Sequence, residues 1–118
     1  MTRIGGRVFC GPPLADLFPV GRMCMTPSVS YLLGDDTLAN VMAMHAAGQW
    51  CEPKDLLTEG DQEANEYVLA DRKEGGPVRE ILSKYKVTSR DASQVVVFVI
   101  TMLDGEQTHT TICLPNER

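Results

Sequence analysis

The sequence predicts an α+β domain in which two or three helices pack on one face of a three- to four-stranded antiparallel sheet. Two observations lead to this fold class. Apolar residues between positions 26 and 71 recur at the three- and four-residue spacing of amphipathic helices, whereas those between positions 81 and 114 alternate or form a β-branched run, as in strands. The pair Asp104-Gly105 separates the last two strand-like runs and favours a hairpin, so the C-terminal part should be an antiparallel β-meander.

Length and composition are those of one globular domain. The chain has 118 residues, of which 43% are hydrophobic and 23% charged, and these fractions are ordinary for a folded protein. Residues 1–22 are rich in proline and glycine, which interrupt helices and strands. We therefore divide the chain into a proline- and glycine-rich N-terminal arm, residues 1–22, and a single α+β domain, residues 23–118.

A short strand over residues 22–25 leads into two helices. Thr26-Pro27 combines an N-cap residue with proline at the first helical position, so the first helix should run from there to Leu33. The second helix, residues 37–47, should be capped by Asp35 or Asp36 and ended by Gly48. Its core-facing stripe follows the spacing i, i+3, i+4 and i+7, and consists of Leu38, Val41, Met42 and His45.

A third helix is expected over residues 61–73, capped by Thr58 or Asp61 and ended by Gly75-Gly76-Pro77. Its inner face should carry Ala64, Tyr67, Val68 and Asp71.

Three strands follow, over residues 81–87, 95–100 and 107–114. With a two-residue turn, Leu103 faces Glu106, which places Ile100 opposite His109 and Phe98 opposite Thr111. The face that contains Val95, Val97 and Val99 is the more apolar, so we expect the helices to pack there. The other face carries Leu82, Phe98, Ile100 and Cys113, and it is the less committed face of the sheet, where an interface could lie.

The net charge of −5 comes from residues 52–74, which hold eight acids and three bases. An acidic segment argues against nucleic acid as a partner, because phosphate contacts need clustered Lys and Arg. The segment is interpreted either as a solvated helix face or as a docking surface for a basic protein partner.

The four cysteines, at positions 10, 24, 51 and 113, form no C-x-x-C pair, and they are interpreted as reduced thiols. No signal peptide is recognisable, and no apolar run approaches the length of a membrane span. We therefore expect a cytoplasmic protein without a membrane partner.

Four side chains are candidate binding residues: His45, Trp50, Asp61 and Asn65. His45 lies on the apolar stripe of the second helix, close to Trp50, and the two could form a recognition pocket around the helix C-terminus. The alternative is a core histidine that hydrogen-bonds its surroundings.

No catalytic residue, metal ligand or cofactor is assigned. Cys51 could act as a nucleophile with His45 or His109 as its base, but no orienting third group is recognisable. His109 and Cys113 are four residues apart on one strand, which separates them by about 13 Å and disfavours a metal chelate.

From residue 22 onward the chain resembles a group of small bacterial proteins associated with plasmids and other mobile elements, described as plasmid-related proteins of unknown function. The shared motifs are Thr26-Pro27, His45-x-x-Gly48-x-Trp50, Asp61-x-x-x-Asn65, Ile81-Leu82-Ser83-x-Tyr85, Ile100-Thr101 and Thr110-Thr111-Ile112-x-Leu114-Pro115-x-Glu117. The chain departs from the group at Gln49 and Cys51, where its members tend to carry an acid and a glycine. The resemblance implies an accessory role on a mobile element and supplies no established reaction.

Three function hypotheses follow. The first is a non-enzymatic accessory or binding protein of a plasmid or phage that acts on a host protein, in an anti-defence or maintenance role. The second is a small enzyme or ligand-binding domain centred on His45, Trp50 and Asn65. The third is a self-associating module, such as a homodimer, joined through Leu82, Phe98 and Ile100.

Overall fold

A computed structural model describes residues 16–71 and 77–118 and has an α+β fold. In chain order its elements are β1 Arg22–Met25, α1 Pro27–Leu32, α2 Asp35–Ala46, β2 Cys51–Glu52, α3 Glu59–Ala70, β3 Arg79–Thr88, β4 Gln94–Leu103 and β5 His109–Cys113. Two 3₁₀ turns, Gly105–Gln107 and Pro115–Glu117, flank β5. The first fifteen residues of the predicted arm, and residues 72–73 of the predicted third helix, lie outside the described ranges.

Among the described residues the sheet has five strands, in the order β1-β5-β4-β3-β2. The predicted meander is confirmed, because β3 pairs antiparallel with β4, and β4 antiparallel with β5. The prediction of a purely antiparallel sheet of three or four strands is wrong, since β1 is parallel to β5 and β2 is parallel to β3. In the β2–α3–β3 unit the helix carries the chain back along the sheet, which makes the two strands it joins parallel. A two-residue strand such as β2 is too short to produce a recognisable alternation in sequence.

The hairpin between β4 and β5 turns at the predicted place but in a longer loop. Met102 lies opposite His109 and Ile100 opposite Thr111, so the register differs by two residues from the prediction. The cause is the 3₁₀ turn after Asp104, in which Thr108 Oγ1 accepts from the Asp104 N–H at 2.9 Å and donates to the Gly105 carbonyl at 2.8 Å. Because a shift of two residues preserves the side-chain alternation, the predicted faces are unchanged.

The first two helices begin and end close to their predicted limits. The Thr26 side chain caps α1 by accepting from the Val29 N–H. α2 begins at Asp35, and its N-cap is Gly34, which offers no side-chain cap, so the predicted cap at Asp35 or Asp36 is wrong. Both acids lie instead in the first turn, where they complement the helix dipole.

Thr58 caps α3, as one of the two alternatives predicted, and its hydroxyl accepts from the Asp61 N–H at 3.1 Å. The predicted inner face of this helix is wrong except at Val68. Tyr67 is 63% exposed, whereas the polar residue Asn65 is buried. An amide that bonds the sheet therefore sets the rotation of α3, and a pattern of apolar residues could not predict it.

The core lies between the helices and one face of the sheet, as expected from the valine alternation. Val97, Val99 and Ile112 are fully buried there, as is Val41 of the predicted α2 stripe, and Met42 of the same stripe is buried beside them. A second cluster lies towards α3 and consists of Phe18, Trp50, Leu57, Val68 and Ile81.

The last residues of the predicted arm belong to this packing. Phe18 is buried, and the Leu17 N–H donates to the Ala46 carbonyl at 2.8 Å. Gly21, at φ +64°, then turns the chain into β1. A Cβ at this position would lie 1.9 Å from the Thr108 carbonyl oxygen, so the turn requires glycine.

Within residues 16–71 and 77–118, no helix covers the opposite side of the sheet, which we call the open face. Its alternate residues are Arg22 and Cys24 of β1, Glu80, Leu82, Lys84 and Lys86 of β3, Val96, Phe98, Ile100 and Met102 of β4, and His109, Thr111 and Cys113 of β5. The C-terminal residues run along part of this face, since Arg118 forms an ion pair with Glu80.

Candidate functional site

His45 is the centre of a buried chain of side-chain hydrogen bonds. Its Nδ1 lies 2.5 Å from the Ser83 hydroxyl, and its Nε2 lies 2.8 Å from the Thr101 hydroxyl. Thr101 and Thr110 share a hydrogen bond of 2.6 Å, and Thr110 donates to the Val20 carbonyl at 2.7 Å. The four side chains that form it, those of His45, Ser83, Thr101 and Thr110, are fully buried.

The Val20 carbonyl at one end of this chain fixes the direction of each hydrogen bond as far as His45 Nε2. Thr110 uses its proton on Val20, so Thr101 must donate to Thr110 and accept from His45 Nε2. The imidazole therefore carries a proton on Nε2, and in the neutral ring Nδ1 accepts from the Ser83 hydroxyl. Burial lowers the pKa of His45 to about 4, which agrees with a neutral ring.

A serine that donates to a neutral imidazole resembles an activated nucleophile. Ser83, however, has no accessible surface, and each ring nitrogen of His45 already has a partner. In this conformation the arrangement connects α2 to β3, β4 and β5, and no substrate can reach the serine.

Trp50 completes an aromatic cluster beside His45. The Phe18 ring meets the His45 ring edge-to-face at 5.2 Å between centroids, and it stacks on Trp50 at 6.1 Å. The indole Nε1–H donates to Glu66 Oε2 at 2.7 Å. The structure thus brings the His45 and Trp50 rings within 6.1 Å of each other, with Phe18 against both rings and Glu66 on the indole N–H.

Asn65 lies at the edge of the sheet. Its Nδ2 donates to the Leu82 carbonyl at 2.7 Å, and its Oδ1 accepts from the Leu82 N–H at 3.0 Å. The side-chain amide thus pairs with β3 in the way a neighbouring strand would.

Asp61 is exposed in the first turn of α3, and only its backbone takes part in the Thr58 cap. Asn65 follows it by one turn on α3, but among the described residues no side-chain hydrogen bond joins Asp61 to His45, Trp50 or Asn65. Glu59 and Glu63 are likewise exposed on α3, so the described part of the acidic segment is an exposed surface.

Sequence reasoning missed Ser83, Thr101, Thr110 and Glu66. The first three could have been found from one pattern in the sequence. Three predicted strands each carry one hydroxyl residue on an otherwise apolar face, and the apolar stripe of α2 carries a histidine. Buried hydroxyls need partners, so their coincidence with His45 indicates a shared network.

Metal and thiol chemistry gain no support from the geometry. Within residues 16–71 and 77–118, no three His, Cys, Asp or Glu side chains converge as metal ligands would. The thiols of Cys24, Cys51 and Cys113 are free, and Cys51 Sγ donates to the Lys54 carbonyl at 3.2 Å. Since both His45 nitrogens are engaged elsewhere, His45 is not positioned as a base for Cys51.

One surface depression lies between the N-terminus of α2 and the β3–β4 loop, lined by residues 34–37 and 88–90. It is at the end of α2 opposite to His45, and it unites none of the predicted candidate residues.

Comparisons with protein-family models, with curated proteins and with solved structures gave no match. None of the helices in the described ranges has both the length and the apolar character that crossing a membrane requires.

Proposed function

We propose that this chain is a non-enzymatic binding protein that holds a protein partner on the open face of its sheet. We further propose that it acts in the cytoplasm as an accessory protein of a plasmid or phage, on a host protein. The observation that supports binding is the apolar centre of the open face. The mobile-element role rests on the sequence motifs that resemble plasmid-related proteins.

The open face has an unusual composition for a sheet surface on which no described helix packs, and its apolar side chains are half-buried. A solvated face of an antiparallel sheet normally carries polar residues. Here β4 contributes four consecutive apolar side chains to it, Val96, Phe98, Ile100 and Met102, and Leu82 lies directly opposite Ile100. Contiguous apolar surface with a polar rim is typical of protein-binding sites.

The charges around this centre favour an acidic partner. Lys84 and Lys86 follow Leu82 on β3, and Arg22 lies on the other edge. Of the two carboxylates near this face, Glu80 is paired with Arg118, and Glu117 accepts from the Thr26 hydroxyl. The open face is therefore basic on a chain whose net charge is −5, which favours an apolar segment that also carries Asp or Glu.

Lys84 contributes to both properties of the surface. Its Nζ lies 5.0 Å from the centroid of the Phe98 ring, within the range of a cation–π contact. A carboxylate that approaches Lys84 would meet Phe98 at the same time, so charge and apolar recognition coincide.

The alternative of an enzyme or ligand-binding domain at His45, Trp50 and Asn65 has weaker support. Each of these side chains is buried, and each uses its polar atoms within the fold. The motif residues that they share with the plasmid-related proteins thus have structural partners.

The proposal is tested by charge reversal on two surfaces. The chain is used as bait in a bacterial lysate, and captured proteins are quantified by mass spectrometry. Lys84→Glu with Lys86→Glu should abolish capture of the main partner, which should itself be acidic. The matched control, Glu59→Lys with Glu63→Lys on exposed positions of α3, should leave capture unchanged.

Two outcomes contradict the proposal. If the α3 variant alone loses the partner, the acidic segment is the docking surface and the open face is not. If the wild-type chain retains no protein above the background of an unrelated bait, the binding function itself is refuted.

A further inference from the structure

We infer that β1 is a dimerisation edge: two copies of the chain join antiparallel through β1, about a twofold axis at Cys24, into one continuous sheet. The two edges of the sheet carry this inference. At one edge the two residues of β2, Cys51 and Glu52, pair with Lys84 and Tyr85 of β3. Next to this pairing, the Asn65 amide bonds both the N–H and the carbonyl of Leu82. At the other edge, within the described part of the chain, no strand pairs with the outer side of β1.

An edge strand whose outer N–H and C=O groups have no partner can pair with a strand of another molecule. Two features of β1 limit such pairing, its length of four residues and the charge of Arg22, but the strand contains no proline or lysine and has no bulge against β5. Met23 and Met25 are 46% and 38% exposed, respectively, so the edge strand presents two apolar side chains to solvent.

The backbone N–H and C=O groups of β1 point alternately towards β5 and away from it. The Arg22 N–H donates to the Thr108 carbonyl and the Thr26 N–H to the Ile112 carbonyl. Residues 22, 24 and 26 therefore bond to β5, whereas Met23 and Met25 direct their N–H and C=O groups away from the sheet.

These outward groups allow one register that uses both of them. If Cys24 faces Cys24 of a second copy, Met23 of each copy lies opposite Met25 of the other, and each of these two pairs exchanges two backbone hydrogen bonds. Centring the pair on Met23 would bring Gly21 into the ladder, which its φ of +64° prevents. Centring it on Met25 would require a donor from Pro27, which has none.

The side chains also match in this register. Met23 packs beside Met25 of the second copy on the helix side of the sheet, so both exposed methionines become covered. Arg22 lies opposite Thr26 of the second copy, and the Thr26 hydroxyl donates to Glu117 Oε1 at 2.7 Å. The twofold axis thus brings the Arg22 cation of each copy close to the Glu117 carboxylate of the other.

The inference is independent of the proposed function. The dimer would place two open faces side by side on one surface, and either could bind a partner without the other. Loss of dimerisation would therefore leave the single-chain binding site intact.

The first test is the mass of the full chain in solution, measured by light scattering across a dilution series. The wild-type chain should have twice the mass of one chain. Met23→Lys with Met25→Lys should shift it to the mass of one chain, because four ammonium groups would then meet at the axis. Tyr31→Lys, at an 81% exposed position of α1, should remain dimeric.

The second test uses Cys24 as a distance reporter. Opposed residues of a non-hydrogen-bonded antiparallel pair have Cα atoms about 4.5 Å apart, which is within the range of a disulfide. Treatment with diamide should join two Cys24 thiols into a disulfide, with two electrons and two protons passing to the diamide. The wild-type chain and Cys51→Ser should form a covalent dimer, and Cys24→Ser should not.

The inference fails if the wild-type chain has the mass of one chain throughout the dilution series. It also fails if a dimer forms but Met23→Lys with Met25→Lys leaves its mass unchanged, or if Cys24→Ser is cross-linked as efficiently as the wild type.

Discussion

His45 shows how strongly one residue can be determined by partners distant in sequence. It lies on α2, yet its nitrogens bond to Ser83, 38 positions away, and Thr101, 56 positions away. Its place on an apolar helix stripe was predicted, and so was the alternative that it is a hydrogen-bonded core residue. The identity of its partners could not be predicted, because it depends on the register of three strands.

The neutral state of His45 makes stability depend on pH. The unfolded chain binds a proton at a pKa of 6.5, whereas burial lowers the folded pKa to about 4. The stabilisation is therefore complete above pH 6.5 and is lost as the pH falls through the folded pKa. Between pH 7 and pH 4 the expected loss is about 3 kcal/mol in the free energy of unfolding.

Urea unfolding of three proteins measures this effect. His45→Gln should be less stable than the wild type at pH 7 but should lose about 3 kcal/mol less on acidification. His109→Gln, at the other histidine of the chain, should keep the wild-type dependence. Equal pH dependence in all three proteins would show that His45 is not the buried neutral group described.

At the scale of elements, prediction succeeded where the determinants are local. Thr26-Pro27 began α1 and Gly48, at φ +85°, ended α2. Prediction failed for the rotation of α3, because a contact distant in sequence, that of Asn65 with Leu82, positions this helix. It also failed for β2, because a strand of two residues is too short to show a pattern. The register of β5 against β4 was not predicted correctly either, because a 3₁₀ turn replaces the two-residue turn that Asp104-Gly105 favours.

Asn65 connects α3 to the edge of β3, so a change of one atom in its side chain should loosen that connection. Asn65→Asp removes the donor to the Leu82 carbonyl and places a carboxylate against it, which should cost about 2–3 kcal/mol in the free energy of unfolding at pH 7. Asn40→Asp, the same substitution at an exposed position of α2, should change it by less than about 0.5 kcal/mol. Equal effects at the two positions, in chemical denaturation, would contradict the role given to Asn65.

The whole molecule has two sides of different character. The helix side carries the exposed acids of α3, and the open face carries apolar side chains beside Lys84, Lys86 and Arg22. The sequence predicted both the acidic segment and the uncommitted sheet face. It could not show that the candidate residues His45, Trp50 and Asn65 would be used inside the fold, and that result is one reason why we propose the open face as the binding surface.

Hydrogen–deuterium exchange of the full chain, alone and with its captured partner, tests this central claim most directly. We expect the partner to slow exchange in peptides that cover residues 82–86 and 96–102 of β3 and β4, with no change over residues 59–70 of α3. Protection confined to α3, with β3 and β4 unaffected, would contradict the claim that the open face binds the partner.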